Sequence, residues 1–377
     1  MIKTSTITPP LHNVNKKIRS SIRSSNLEMY RIVCMLMIIA HHFVVNSGLT
    51  SVDGPILTNP TGIKTLFLWM FGMWGKTGIN CFLMITGYFM CKAEITLKKF
   101  LKLVLEIYLY KFIFFGIFFA TGYESFSLLR VVELLMPFWG FSSNFVGCFL
   151  VFYLTIPFWN ILIRNMTKKQ HQLLLILLLC MYSVFGSVPK FHISFNYVTW
   201  FGVIYLVSSY IRLYPNKIFE KKKLWGLLTI LFVLLGIASM FVMQFFMKSG
   251  GQYFVADSNK FLAVAVAVSS FLYFKNIKIP YSKIINTIGA STFGVLLIHA
   301  NSNAMLTWLW KDVVDCVGNY SLSLGSLIMY AIVSVLIIFL VCTLIDILRI
   351  RFIETPFFNW FDKKNINIES LWQIKKQ

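Results

Sequence analysis

An arginine and a histidine stand eleven positions apart in YRIVCMLMIIAHHF, residues 30 to 43. At about 100° per residue, eleven steps are three turns plus roughly 20°. On a helix, Arg31 and His42 therefore share one face, about 16 Å apart along the axis. Glu28, Met35 and Ile38 fall on the same stripe, whereas His41 points about 80° away. Imidazole exchanges a proton near neutral pH, and guanidinium stays charged and grips anions. Inside a hydrocarbon-length helix such groups are costly, which makes them functional candidates. The bland alternative has Arg31 snorkelling to lipid headgroups and His42 wetted at the opposite interface.

Three further stretches carry chemistry-bearing residues. In GMWGKTGINCFLMITGYF, residues 72 to 89, Gly72, Gly75 and Gly78 recur every third position, and Lys76 lies between them. Small residues let a second helix approach closely, but packing does not account for the lysine, unless it snorkels outward. In STFGVLLIHANSN, residues 291 to 303, His299 has Asn301 and Asn303 close by and offers a second polar wall. A structural histidine bonded to a neighbouring helix fits equally well. In ITLKKFLKL, residues 95 to 103, Lys98, Lys99 and Lys102 form a basic cluster. It reads first as an inside-positive loop, and otherwise as an anchor for a phosphorylated ligand. His41, Lys76, His299, Lys99 and Lys102 are the candidate substrate-binding residues. The seven cysteines form no CxxC pair and no zinc spacing, and an odd number cannot pair completely. They read as small core residues, and no metal site is expected.

The elements that hold these residues follow from composition. Hydrophobic residues make up 57% and charged ones 13% of the 377, against roughly 25% charged in a soluble domain. Such a chain belongs in a lipid bilayer. The net charge of +21 invites a nucleic-acid reading, but the charges sit in short clusters between apolar runs, where topology rules put them. The fold class expected is an all-α integral membrane protein. Ten spans are expected over 29–46, 65–90, 103–121, 145–163, 172–188, 197–213, 224–247, 259–274, 284–309 and 322–348. With the N-terminus inside, 26 of the 35 Lys and Arg fall on the cytoplasmic side, six outside and three within spans. Both termini are thus expected in the cytoplasm. Residues 1–26 read as a basic disordered arm without a cleavable signal, 27–360 as the transmembrane domain, and 361–377 as a tail. Trp69, Trp74, Trp139, Trp308 and Trp310 read as an outer interfacial belt, and Trp225 and Trp360 as an inner one. The segment LLMPFWGF, residues 134 to 141, reads as lying on or dipping into the outer membrane surface.

The first helix, LEMYRIVCMLMIIAHHF, resembles the signature of the family 3 membrane acyltransferases, an Arg followed by ten mostly apolar residues and a His. GKTGINCFLMITGYF resembles the family's second-helix run, with Thr86 where Ser is usual, and STFGVLLIHANSN resembles its late Leu-Ile-His segment. The resemblance covers about residues 26 to 360. It implies an acyl donor, usually acetyl-CoA, used at the cytoplasmic face, with the acyl group passing to a hydroxyl of a surface glycan or glycolipid across the membrane. No bound cofactor is implied. It marks Arg31 and His42 as the functional pair, in a multi-pass protein of a bacterial cell membrane. Lys99 and Lys102 occupy the spacing of the family's Arg-x-x-Arg element, but as lysines, which lack the bidentate grip of guanidinium. On this reading His42 is a general base or a covalent acyl carrier. Arg31 holds the donor phosphates or thioester carbonyl, or orients the catalytic helix. Lys76 or His299 faces the acceptor or the oxyanion.

Two other classes compete. A glycolipid flippase or solute carrier also buries charges, but no repeat relates the two halves of the chain. A non-catalytic assembly or sensor protein needs no paired Arg and His. The sequence leaves the acceptor, the oligomeric state and any partner proteins open.

Overall fold

The computed structural model describes residues 24–136, 144–191, 193–248 and 250–363. Among them the chain is helical throughout, with no strand. Residues 1–23, 137–143 and 364–377 lie outside the described set. So do most of the expected N-terminal arm, Trp139, residues 137–141 of the expected surface segment, and most of the expected tail.

Helix α1 spans Ser25–Val45, and α2 (Ile63–Gly72) and α3 (Gly75–Met90) follow. Next come α4 (Leu97–Ala120), α5 (Leu128–Leu135), α6 (Phe145–Asn165), α7 (Lys168–Ser187) and α8 (Tyr197–Leu213). The chain continues through α9 (Lys222–Met247), α10 (Phe261–Asn276), α11 (Lys283–Ala290), α12 (Thr292–His299) and α13 (Asn303–Ser321), and closes with α14 (Leu324–Lys363). Among the described residues, six helices are long and apolar enough to cross a membrane: α1, α4, α6, α7, α9 and α14. A seventh crossing results if α11–α12 and α13, bent by 92°, form one broken span. The protein is therefore a multi-pass helical membrane protein. Helix also occupies the other segments expected to cross. However, α8 has 17 residues and α10 has 16, short of the roughly 20 that a bilayer core asks for.

The expected second span, 65–90, is not continuous. It breaks at Met73 and Trp74 between α2 and α3. The glycines on either side explain why the break is tolerated: they press against α1. A Cβ on Gly72 would lie 2.5 Å from Val44 Cγ2, one on Gly75 2.3 Å from the His41 ring, and one on Gly78 3.0 Å from the Cys34 carbonyl oxygen. The small-residue row thus docks α3 onto α1. His41 Nδ1 lies 2.7 Å from Gly72 O and, since a carbonyl only accepts, donates to it across the break.

Helix α1 is the axis of the molecule. It packs against α2, α3, α10, α11, α12 and α14. Further out, α8 packs on α3 and α6, and α9 on α10. Asn80 in α3 ties the α3–α8–α10 side together. Its amide donates to Ser258 O at 2.7 Å, and its oxygen accepts from Trp200 Nε1 at 2.9 Å.

Two sequence expectations change here. Trp69 and Trp310 are buried, not interfacial; Trp310 packs edge-on to Phe43 with ring centroids 6.1 Å apart. An indole buries a large flat surface and serves in a packed helix interface as readily as at a bilayer edge. Six of the seven cysteines are buried as expected, but Cys180 is exposed.

Candidate active site

The stripe read from the sequence faces an interior cavity of about 820 Å³. Arg31, Met35, Ile38 and His42 all line it. Glu28, on the same stripe, does not; its carboxylate lies 3.6 Å from Arg31 Nε and packs against Gly289 of α11. Lys99, Lys102 and Glu106 of α4 line the cavity together with Arg31. Thr86, the residue in place of the usual Ser, lines it from α3. The middle is aromatic and aliphatic, with Phe82, Phe149 and Phe293 among its walls. With His42, the loop after α12 (Asn301, Ser302, Asn303) and Asn144 at the start of α6 complete the lining. One end is thus cationic, the other carries imidazole and neutral amides, and the α1 rise separates Arg31 from His42 by about 16 Å.

At the histidine end the protonation pattern can be worked out. His299 ends α12. Its Nδ1 lies 2.6 Å from Val295 O, so this nitrogen carries the hydrogen. In the neutral ring Nε2 is then an acceptor. It lies 3.1 Å from His42 Nδ1, which must be the donor. The lone pair of His42 is thereby fixed on Nε2. A base with one defined tautomer, oriented by a second buried group, suits proton abstraction. The chain breaks directly after His299. Asn301 Nδ2 satisfies the Leu297 carbonyl at 2.9 Å, and Ser302 caps the next helix by accepting from Met305 N.

The lysine end is built on the start of α4. Thr96 caps that helix by accepting from Lys99 N. Cations in a first turn oppose the helix dipole, so Lys98 and Lys99 sit where local energetics would not place them without acceptors, and Lys102 follows one turn later. Lys98 meets Asp362 at 2.6 Å, Lys102 meets Glu354 at 2.6 Å, and Lys99 donates to Glu94 O at 2.9 Å.

A buried ion cluster lies behind this end. Arg349 of α14 bonds Glu106 (3.0 Å), Asp346 (2.7 Å) and Glu354 (2.7 Å), and Tyr110 donates to Asp346 at 2.8 Å. Residues 350–354 widen to a π-turn. Its i→i+5 closure brings Arg349 and Glu354, five apart, onto one side of the helix. A Cβ on Gly294 would lie 2.0 Å from Asp346 Oδ1, so that glycine admits the carboxylate between α12 and α14. The sequence reading passed over this cluster. Its signal was present: Glu106 and Asp346 are carboxylates inside apolar runs, as costly there as Arg31.

Of the seven residues singled out from the sequence, Arg31, His42, Lys99 and Lys102 line the cavity. His299 reaches it through its bond to His42. His41 and Lys76 are not among the lining residues. His41 is buried against Gly75 and bonded to Gly72 O. Lys76 donates to Tyr197 OH at 2.7 Å and lies over that ring.

The described residues form a helical membrane fold around a cavity with cations at one end and a tautomer-fixed histidine at the other. The acyltransferase-domain profile of acyltransferase family 3 matches residues 25–347. The chain belongs to that family and is a membrane acyltransferase. No curated protein and no solved structure matches the chain.

Proposed function

We propose that the protein moves an acetyl group from cytoplasmic acetyl-CoA to a hydroxyl of an extracytoplasmic polysaccharide or glycolipid, in a bacterial cell membrane. The observation that carries this reading is that Lys99, Lys102, Arg31 and His42 line one and the same cavity. Acetyl-CoA is a polyanion with a reactive thioester at the far end of a flexible arm. Phosphates at the cationic end leave about 16 Å of α1 for that arm to reach His42. The excess of Lys and Arg on one side of a ten-span layout with both termini inside supports a cytoplasmic lysine end.

The chemistry follows from the fixed tautomer. His42 Nε2 takes the proton of the acceptor hydroxyl as its oxygen attacks the thioester carbonyl. The C–S bond breaks as the C–O bond completes, and the imidazolium returns the proton to the leaving thiolate. His299 accepts from His42 Nδ1 throughout and stabilises the charge that forms on the ring. Arg31, always protonated, binds donor phosphate and cannot act as base. The amides of Asn144 and Asn303 suit a neutral, hydroxyl-rich acceptor.

The test is the O-acetyl content of surface glycan in cells with and without the protein, and with His42→Ala. The reading predicts loss of one class of O-acetyl ester in both deficient strains. Unchanged O-acetylation with measurable expression of His42→Ala would defeat it.

A further inference from the structure

The ion pair between Lys102 and Glu354 joins unequal partners. The Glu354 side chain is 9% exposed, and Arg349 holds its second oxygen at 2.7 Å. The Lys102 side chain is 52% exposed, lines the cavity and hangs on a flexible four-carbon stem. Glu354 lies behind it, outside the cavity lining. The carboxylate is therefore fixed and the ammonium is the part that can move. If Lys102 turns from Glu354 into the cavity, Glu354 keeps its bond to Arg349, and Arg349 keeps Asp346 and Glu106. Each carboxylate in the cluster keeps its bond to Arg349 after the exchange, so none loses its last partner. Helix α14 also grips the same end of α4 through Lys98 and Asp362 at 2.6 Å, so the two partners stay in register.

We propose that Glu354 is the resident counter-anion of the donor seat, and that donor phosphate displaces it from Lys102. This makes Glu354 a specificity-determining residue that touches no substrate. A ligand must carry enough negative charge to outcompete a carboxylate already in place. A phosphate-bearing thioester meets that demand, and a phosphate-free pantetheine thioester does not. The inference rests on the proposed use of a CoA donor and adds the exchange that selects it.

The test uses full-length protein in detergent or vesicles, with CoA as the binding probe and acetyl-CoA and S-acetylpantetheine as donors. Glu354→Gln keeps an oxygen for Arg349 and removes the competing charge. CoA should bind about fivefold more tightly, the factor for a partly exposed ion pair. KM for S-acetylpantetheine should not change. In a Lys102→Gln background, which has no cation for Glu354 to occupy, Glu354→Gln should give no such gain. Unchanged or weaker CoA binding by Glu354→Gln, or the same gain in the Lys102→Gln background, overturns the proposal. Glu354→Asp keeps a charge for Arg349 but draws it back from Lys102; if Glu354→Gln fails to fold, tighter CoA binding by Glu354→Asp supports the proposal and unchanged binding overturns it. Wild-type protein that binds no CoA overturns the donor assignment as well. Wild-type protein that binds CoA, with Glu354→Gln binding it equally, overturns this inference alone.

Discussion

Substitution of His299 separates a residue that orients the base from one that performs chemistry. His299→Asn removes the acceptor for His42 Nδ1–H, which lies 3.1 Å from His299 Nε2. His42 would then lose its fixed tautomer and ring angle but keep its place in the cavity. A neutral hydrogen bond contributes about 0.5–1.5 kcal/mol net, so kcat should fall about two- to twelvefold. Removing the base itself should cost about 100- to 10,000-fold. KM for acetyl-CoA should not change, because the donor phosphates bind about 16 Å away. The assay is thiol release from acetyl-CoA by purified protein, with thermal unfolding as the control for the buried site. In a double variant with His42→Ala, the His299 substitution should add nothing, since its effect passes through His42. A loss as deep as that of His42→Ala, or an additive loss in the double variant, would refute the orienting role.

Other substitutions probe the frame. Arg349→Met leaves Glu106, Asp346 and Glu354 facing one another without their shared cation. Breaking a buried ion cluster in this way should destabilise the fold by about 3–5 kcal/mol, seen as a lowered unfolding temperature and poor accumulation in the membrane. Asn80→Ala strips partners from Trp200 Nε1–H and Ser258 O, at about 1–3 kcal/mol for each group left unsatisfied. That loss should appear in thermal unfolding with little change in KM. Lys76→Met should leave donor KM within about twofold of wild type, because Lys76 bonds Tyr197 and is not among the cavity-lining residues.

The active helix was legible because helical geometry is local. The angle between Arg31 and His42 follows from their separation alone, and both line the cavity. The partner of His42 was not legible, since His299 lies 257 positions away and only tertiary packing brings the two together. The glycines at 72, 75 and 78 announced a close helix contact, but not that the chain would break at Met73 and Trp74. Hydropathy reads straight through such a break because both sides are apolar. The bend after His299 escapes hydropathy for the same reason. The positive-inside rule counts only lysine and arginine, so Glu106 and Asp346 carry no weight in a topology reading. Trp69 and Trp310 were misplaced because an indole serves equally at an interface or in a wide core gap.

The central claim is that one cavity passes an acyl group from the lysine end to His42. It is tested most directly by reconstituting wild-type and His42→Ala protein in vesicles with radiolabelled acetyl-CoA on the lysine side and glycan acceptor on the other. The account predicts that wild-type protein releases CoA in step with label appearing on the acceptor, and that His42→Ala binds CoA with unchanged affinity yet transfers at least about 100-fold more slowly. Label transfer by His42→Ala at the wild-type rate would contradict it.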